Sequence, residues 1–365
     1  MNFDVTEEQQ LLADSVEAFV RDNCDFDAHR AILKAELGYS KDNWNSFAEL
    51  GWLAIPFAEE HGGLDFGATE LAILFEKFGS SLVTEPYLAT VVMGGKLIES
   101  LGNEQQRTAW LERIISGDAQ LALAYAEPKG RYCLSAIETR ASGAGDAWSL
   151  SGHKAMVLNA PAADMLIVSA QTDAGLSLFL VDPKSTGVRL NSYRTLDGSR
   201  AAEVHLDQAG AELLGTDGRG LEALQAVIDS AALCVCSEAV GAIEKLLWKT
   251  TEYLRTRKQF GLPLSKFQAL QHRATEMFIE VEQAKSIVAM AIMATESGTD
   301  VARAVSAAKA RVGRAAKLVG EEAIQMHGGI GVTEELDIGH YVRRLIMIEN
   351  LFGTRDWHLQ RFSQS

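Results

Sequence analysis

The chain has 365 residues, and its 34 Lys+Arg against 49 Asp+Glu give a formal net charge of −15. That sign repels phosphodiester backbones instead of recruiting them through counterion release, so nucleic acid is excluded as a main partner. With 47% hydrophobic and 23% charged residues the composition is that of a folded protein of two or three domains, not of collagen, a disulfide scaffold or a disordered chain. Met1-Asn2-Phe3-Asp4-Val5-Thr6-Glu7-Glu8 lacks the basic and apolar regions of a secretory signal. Apolar runs such as Leu121–Tyr125 and Met165–Val168 fall well short of the ~20 residues that span a bilayer. The chain is expected to be cytoplasmic, with no membrane partner.

Cys24, Cys133, Cys234 and Cys236 show no paired C-x-x-C spacing, and are expected to be core-filling thiols in a reducing compartment. The eight histidines form no H-E-x-x-H pattern, so no metal is expected.

In chain order, the first segment is helical, with Leu11, Leu12, Val16, Phe19 and Val20 on one stripe and Leu71, Leu74, Phe75 and Phe78 on another. The Gly-rich turn Glu60-His61-Gly62-Gly63-Leu64 punctuates them. The period then changes to that of strands, with runs at Leu121–Ala126, Trp148–Leu150, Leu166–Ala170, Leu176–Val181 and Val204–Leu206 between Gly, Asp and Pro turns. Helices return after Gly218, one stripe being Leu221, Leu224, Val227, Ile228 and Val235, another Phe267, Leu270, Ala274, Met277, Val281, Ala284 and Val288. The expectation is an α+β protein: a helical domain over 1–117, a β-barrel-like domain over 118–216 and a C-terminal four-helix bundle over 217–365.

Two segments carry chemistry. Arg257-Lys258-Gln259-Phe260-Gly261 places cations at a helix end, where a guanidinium can hold a pyrophosphate in bidentate fashion or simply complement the helix dipole. In Gln325-Met326-His327-Gly328-Gly329 a helix ends on a glycine pair, which is either a plain C-cap or a place where a ligand approaches the backbone.

In combination these segments resemble the acyl-CoA dehydrogenase family. Glu59 to Leu64 is similar to its P-E-E-x-G-G turn, Ala126-Glu127-Pro128 to its T-E-P, Ser151-Gly152-His153-Lys154 to its N-G-x-K, and Arg257 to Gly261 with Gln325 to Gly331 to its two flavin-clasping segments. The resemblance implies helical, β and helical domains, FAD as cofactor, and oxidation of an acyl-CoA to the 2,3-enoyl-CoA. A glutamate would remove the α-proton while the β-hydrogen passes to the flavin as hydride, and an electron-transfer flavoprotein would take the electrons. It further implies that each FAD lies between two subunits. On that reading Arg257, Gln259, Phe260, Leu264, Gln268, Gln325, Gly328, Gly329 and Thr354 are the cofactor-binding residues.

The half-site that receives the isoalloxazine departs from the pattern. Ala126 replaces the threonine of T-E-P, Lys129-Gly130-Arg131-Tyr132 replaces its glycine and serine continuation, and Met156 and Leu158 replace the tryptophan and threonine of W-I-T-N. Phe352 in Leu351-Phe352-Gly353-Thr354 stands where the family's Y-E-G-T has its glutamate, and a phenyl ring accepts no proton. The family's alternative site for that glutamate holds Ser230-Ala231-Ala232. No catalytic residue is therefore assigned. Glu238 is expected to be structural, Glu349 to cap or to pair with Arg343 or Arg344, and Asp356 to replace a flavin-contacting glutamine.

One half-site kept and the other lost is the pattern of a non-base-bearing subunit in an α2β2 enzyme, with a homologous catalytic partner that binds most of the acyl-CoA. Two alternatives stand beside it: a homo-oligomeric dehydrogenase with a displaced acid, and a non-enzymatic acyl-CoA-binding relative.

Overall fold

The structure is a computed structural model that describes residues 6–145 and 147–364; of Met1 to Glu8, where no secretory signal is expected, Met1–Val5 fall outside them. Helices α1 (Glu7–Asn23), α2 (Phe26–Lys34), α3 (Lys41–Glu49), α4 (Ala68–Ser81), α5 (Lys96–Leu101) and α6 (Glu104–Ile115) come first. Strands β1 (Leu121–Ala124), β2 (Arg140–Ala144), β3 (Ala147–Leu158), β4 (Met165–Gln171), β5 (Leu176–Val181), β6 (Val188–Arg194) and β7 (Arg200–Leu214) follow. Then come α7 (Gly220–Thr256), the hairpin β8 (Lys258–Gln259) and β9 (Leu262–Pro263), α8 (Gln268–Ser297), α9 (Val301–His327), α10 (Ile338–Asn350) and α11 (Arg355–Gln364).

The chain folds into two compact units. The mainly helical one takes residues up to Arg30, Gly67–Val83 and everything from Ala232 on. Its tightest joint is the crossing of α4 and α7. A Cβ on Gly79 would lie 1.8 Å from the Glu238 carbonyl oxygen, and one on Gly241 would lie 1.9 Å from that of Glu76. Only glycine lets two helix backbones approach so closely. Among the described residues α7 is the one helix long and apolar enough to cross a bilayer, and 89% of its most apolar stretch is buried within the protein.

The predicted stripes hold with exceptions. Val16 and Val20 are buried but Leu11, early in α1, is 68% exposed. Leu224, Val227, Ile228 and Val235 are buried while Leu221 is exposed, and on α8 the covered part of the stripe begins at Met277. Of the thiols only Cys234 and Cys236 fill the core; Cys24 is half-buried and Cys133 is exposed, which corrects the expectation for that pair. Burial pushes the Cys236 thiol up to about 12 and keeps it inert.

The second unit takes Ala31–Phe66 and Thr84–Ala231. Its sheet runs β1-β4-β2-β3-β7-β5, and β5 pairs back with β4. That closes a circuit around Leu150, Val157, Leu166, Val168, Phe179, Val181 and Val204, which is the barrel-like form expected. Strands β2 and β6 escaped the sequence reading. In β6 only Val188, Leu190 and Tyr193 are even partly covered, because it pairs with β7 alone at the edge of the sheet.

Candidate functional site: an open clasp and a closed loop

The first arm of the clasp begins where α7 ends. The Arg257 N–H donates to the Tyr253 carbonyl (2.9 Å), and the chain reverses at once through Phe260 (φ 54°) and Gly261 (φ 81°). Two left-handed residues in a two-residue hairpin make a type I′ turn, for which glycine is suited and phenylalanine is strained. The strained side chain is 90% exposed. Leu264, half-buried, closes the loop through its N–H to the Arg257 carbonyl (2.8 Å), and Gln268 opens α8.

The second arm is the end of α9. Gly328 (φ 66°) turns the chain, its N–H donating to the carbonyls of Gln325 and Ile324. The structure brings the arms together. Tyr253 and His327 stack at 4.4 Å between ring centroids, and the Tyr253 hydroxyl donates to the His327 carbonyl (3.3 Å). An ion pair between Arg273 and Glu322 joins α8 to α9 one turn from Gln325.

Among the described residues the side chains of Arg257, Gln259, Gln268 and Gln325 are exposed and make no hydrogen bond or ion pair within the chain. A Cβ on Gly261, Gly328 or Gly329 would meet nothing within 4 Å. An unpaired guanidinium, free amides and open backbone suit a diphosphate-bearing dinucleotide such as FAD. Thr354 is engaged differently: its hydroxyl accepts from the Trp357 N–H (3.4 Å) at the start of α11.

The loop Leu351 to Thr354 is closed. Phe352 has φ 59° and is 4% exposed. Lys309, buried on α9, donates from Nζ to the carbonyls of Glu349 (3.1 Å) and Gly353 (2.9 Å), and burial pushes its ammonium down to about 8. His358 donates from Nε2 to the Phe352 carbonyl (3.2 Å), and its Nδ1 lies 3.3 Å from Ser306 Oγ. Burial lowers this imidazole to about 3, so it is neutral.

The acids Glu238, Glu349 and Asp356 are engaged or exposed. Glu238 is buried and holds Arg344 in a two-pronged ion pair, one contact being Arg344 Nη2 to Oε2 at 2.7 Å. Glu349 caps α11 by accepting the Arg355 N–H (3.1 Å), while Arg343 pairs with Glu334 and Arg344 with Glu238. Asp356 is exposed. The sequence reading passed over Asp229, a buried acid beside Ser230 whose carboxylate accepts from Gln225 (3.2 Å). It lies two residues from Ala231, about 200° around the helix.

In the β-unit, the T-E-P-like and N-G-x-K-like segments meet through Lys154 and Glu127. Lys154 Nζ, fully buried, donates to Glu127 Oε1 (2.7 Å) and to Ser169 Oγ (3.1 Å). Glu127 also accepts the Thr139 N–H (3.0 Å) and hydroxyl (2.6 Å). Burial pushes Lys154 down to about 8 and opposes ionisation of Glu127, whose hydrogen bonds from Lys154 and Thr139 still hold it below the usual carboxylate range. The pair is therefore ionised at neutral pH. It ties the two motif segments together inside the β-unit. Ala126, Met156 and Leu158 bring no polar side chain, and Met156 sits in a β-bulge at φ 50°.

Residues 6–118, 122–209 and 218–365 match the N-terminal, middle and C-terminal domains of acyl-CoA dehydrogenase. The chain belongs to the acyl-CoA dehydrogenase family. FAD is its cofactor, and its chemistry is oxidoreduction at a CH–CH bond. An acyl-CoA dehydrogenase from Mycolicibacterium smegmatis, IpdE2, is 30% identical, with 98% of each chain covered. Among solved structures, the Tcur3481-Tcur3483 steroid acyl-CoA dehydrogenase variant superposes with TM-score 0.91 at 29% identity, covering 99% of this chain and 98% of that one. The ChsE4-ChsE5 complex from Mycobacterium tuberculosis gives TM-score 0.92 at 25% identity, covering 100% and 98%.

Proposed function

We propose that this acyl-CoA dehydrogenase chain is the cofactor-clasping subunit of a heteromeric enzyme, an α2β2 assembly with a homologous catalytic partner. The observation that carries this reading is the contrast just described. Arg257, Gln259, Gln268 and Gln325 are exposed without partners, whereas the position of the proton acceptor holds a buried phenyl ring. Arg257 and the two glutamine-bearing turns hold the diphosphate and adenosine end of a FAD whose ring lies in the partner. Phe260, Leu264, Gly328 and Gly329 shape the surface against it, and Thr354 contributes its hydroxyl from the loop between α10 and α11. FAD supplies the two-electron acceptor for α,β-dehydrogenation, and this chain's residues bind and orient it without moving a proton. The steroid enzyme pair and the ChsE4-ChsE5 complex support the two-subunit arrangement by likeness. The partner binds most of the acyl-CoA, an electron-transfer flavoprotein takes the electrons, and the assembly works in the cytoplasm.

Flavin stoichiometry tests the reading. Expressed alone, the chain is colourless or substoichiometric in flavin; recovered from its source through a tag, it brings a homologous subunit and about one FAD per heterodimer, since a lone half-site lacks most of the contacts that hold the ligand. A full complement of FAD on the chain alone overturns it.

A further inference from the structure

We propose that Tyr253 and His327 are positioning residues that join the two arms of the clasp, so that Arg257 and Gln325 meet the cofactor's diphosphate as one preset unit. This rests on the reading of the clasp given above. Neither residue supplies a group to the ligand. Tyr253 instead touches both arms: its carbonyl accepts the Arg257 N–H (2.9 Å), and its hydroxyl donates to the His327 carbonyl (3.3 Å). His327 is buried, and its ring is tied to its own helix by Nδ1 donating to the Ala323 carbonyl (2.8 Å). The rings lie 4.4 Å apart and 27° from parallel. His327 directly precedes Gly328, whose N–H donates to the Gln325 carbonyl. A continuous path of short contacts therefore runs from the backbone of Arg257 to that of Gln325.

The physical need is plain. Both arms are helix ends, the part of a helix that frays most readily. If they moved independently, each would have to be ordered separately when the ligand bound, and that ordering would subtract from affinity. Bridging them beforehand lets the guanidinium and the amide act together.

The test uses the complex recovered through a tag on this chain, with FAD dissociation as the readout and kcat at saturating FAD as the control. Tyr253→Ala is expected to weaken FAD by about 10-fold or more, and Tyr253→Phe, which keeps the stack and loses one hydrogen bond, by about 2- to 10-fold. His327→Phe keeps the stack and the carbonyl and should bind FAD nearly as the parent does. In every case kcat at saturating FAD stays unchanged. The double variant Tyr253→Ala/Gln325→Ala should lose less affinity than the product of the single losses, because an unpositioned Gln325 has less to lose. Hydrogen exchange on the FAD-free full chain provides a readout without the partner: Tyr253→Phe should speed exchange in the turn 328–332. If Tyr253→Ala does not fold, Tyr253→Phe carries the test by both measurements. Strictly multiplicative losses, unchanged exchange, or wild-type FAD retention in the Tyr253 variants while Arg257→Ala releases the cofactor would overturn the proposal and leave the clasp reading standing. Wild-type retention in Arg257→Ala as well would overturn both.

Discussion

The clasp and the loop around Phe352 use their polar groups in opposite ways. In the clasp, Arg257, Gln259, Gln268 and Gln325 face solvent with no partner within the chain. Around the loop the polar groups are turned inward: Lys309 and His358 bind the carbonyls of Glu349, Gly353 and Phe352, and Glu238 binds Arg344. A group that has no partner inside the chain is available to something outside it, whereas a buried group with its bonds made serves the fold. On the reading proposed above, the difference separates a ligand-facing region from a structural one even though both derive from the same family pattern.

The contrast breaks most visibly at the buried ion pair. Replacing Arg344 by Met leaves the Glu238 carboxylate buried without its cation, which is expected to cost about 3–5 kcal/mol of stability by urea unfolding. In the assembled complex Glu238→Gln should nonetheless leave single-turnover flavin bleaching within a few-fold, because a working general base contributes at least ~100-fold. A larger drop with FAD still bound would move the base into this subunit.

The clasp should respond the other way round. Arg257→Ala is expected to leave stability within about 0.5 kcal/mol, as for an exposed unpaired side chain. It should weaken FAD by about 10- to 150-fold through loss of a charge-assisted contact. Equal loss of stability and of flavin would show that the arginine supports the fold as much as the ligand.

A third effect, gradual over pH, belongs to His358. Its imidazole is lowered from 6.5 to about 3 in the folded chain. Between those values the unfolded chain binds a proton that the folded chain does not, so this contribution is complete above about pH 6.5 and is lost as the pH falls. The slope reaches about 1.4 kcal/mol per pH unit. Urea midpoints in acid should fall more steeply for the parent than for His358→Gln, and identical slopes would show that the imidazole titrates normally.

Much of this was legible in the residues. Val16, Val20, Leu224 and Val235 declared buried helix faces by their period, and Leu176–Val181 declared a strand by its run of apolar residues. Gly328 and Gly261 announced turns, because the left-handed conformations they adopt are open to few other residues. Phe352 excluded a base at its position from its chemistry alone. Local backbone geometry and side-chain chemistry are properties of short stretches, so a sequence carries them directly.

Partnerships across the fold belonged to the tertiary structure. No spacing pairs Glu127 with Lys154, Glu238 with Arg344, or Lys309 with the carbonyls of Glu349 and Gly353, and none foretells the stack of Tyr253 on His327. Leu11 and Met277 sit equally well on their stripes, yet one is exposed and the other buried. The period of a helix determines which side chains share a face; which of them are covered, and which charges find partners, depends on elements distant in the chain that meet only when it folds.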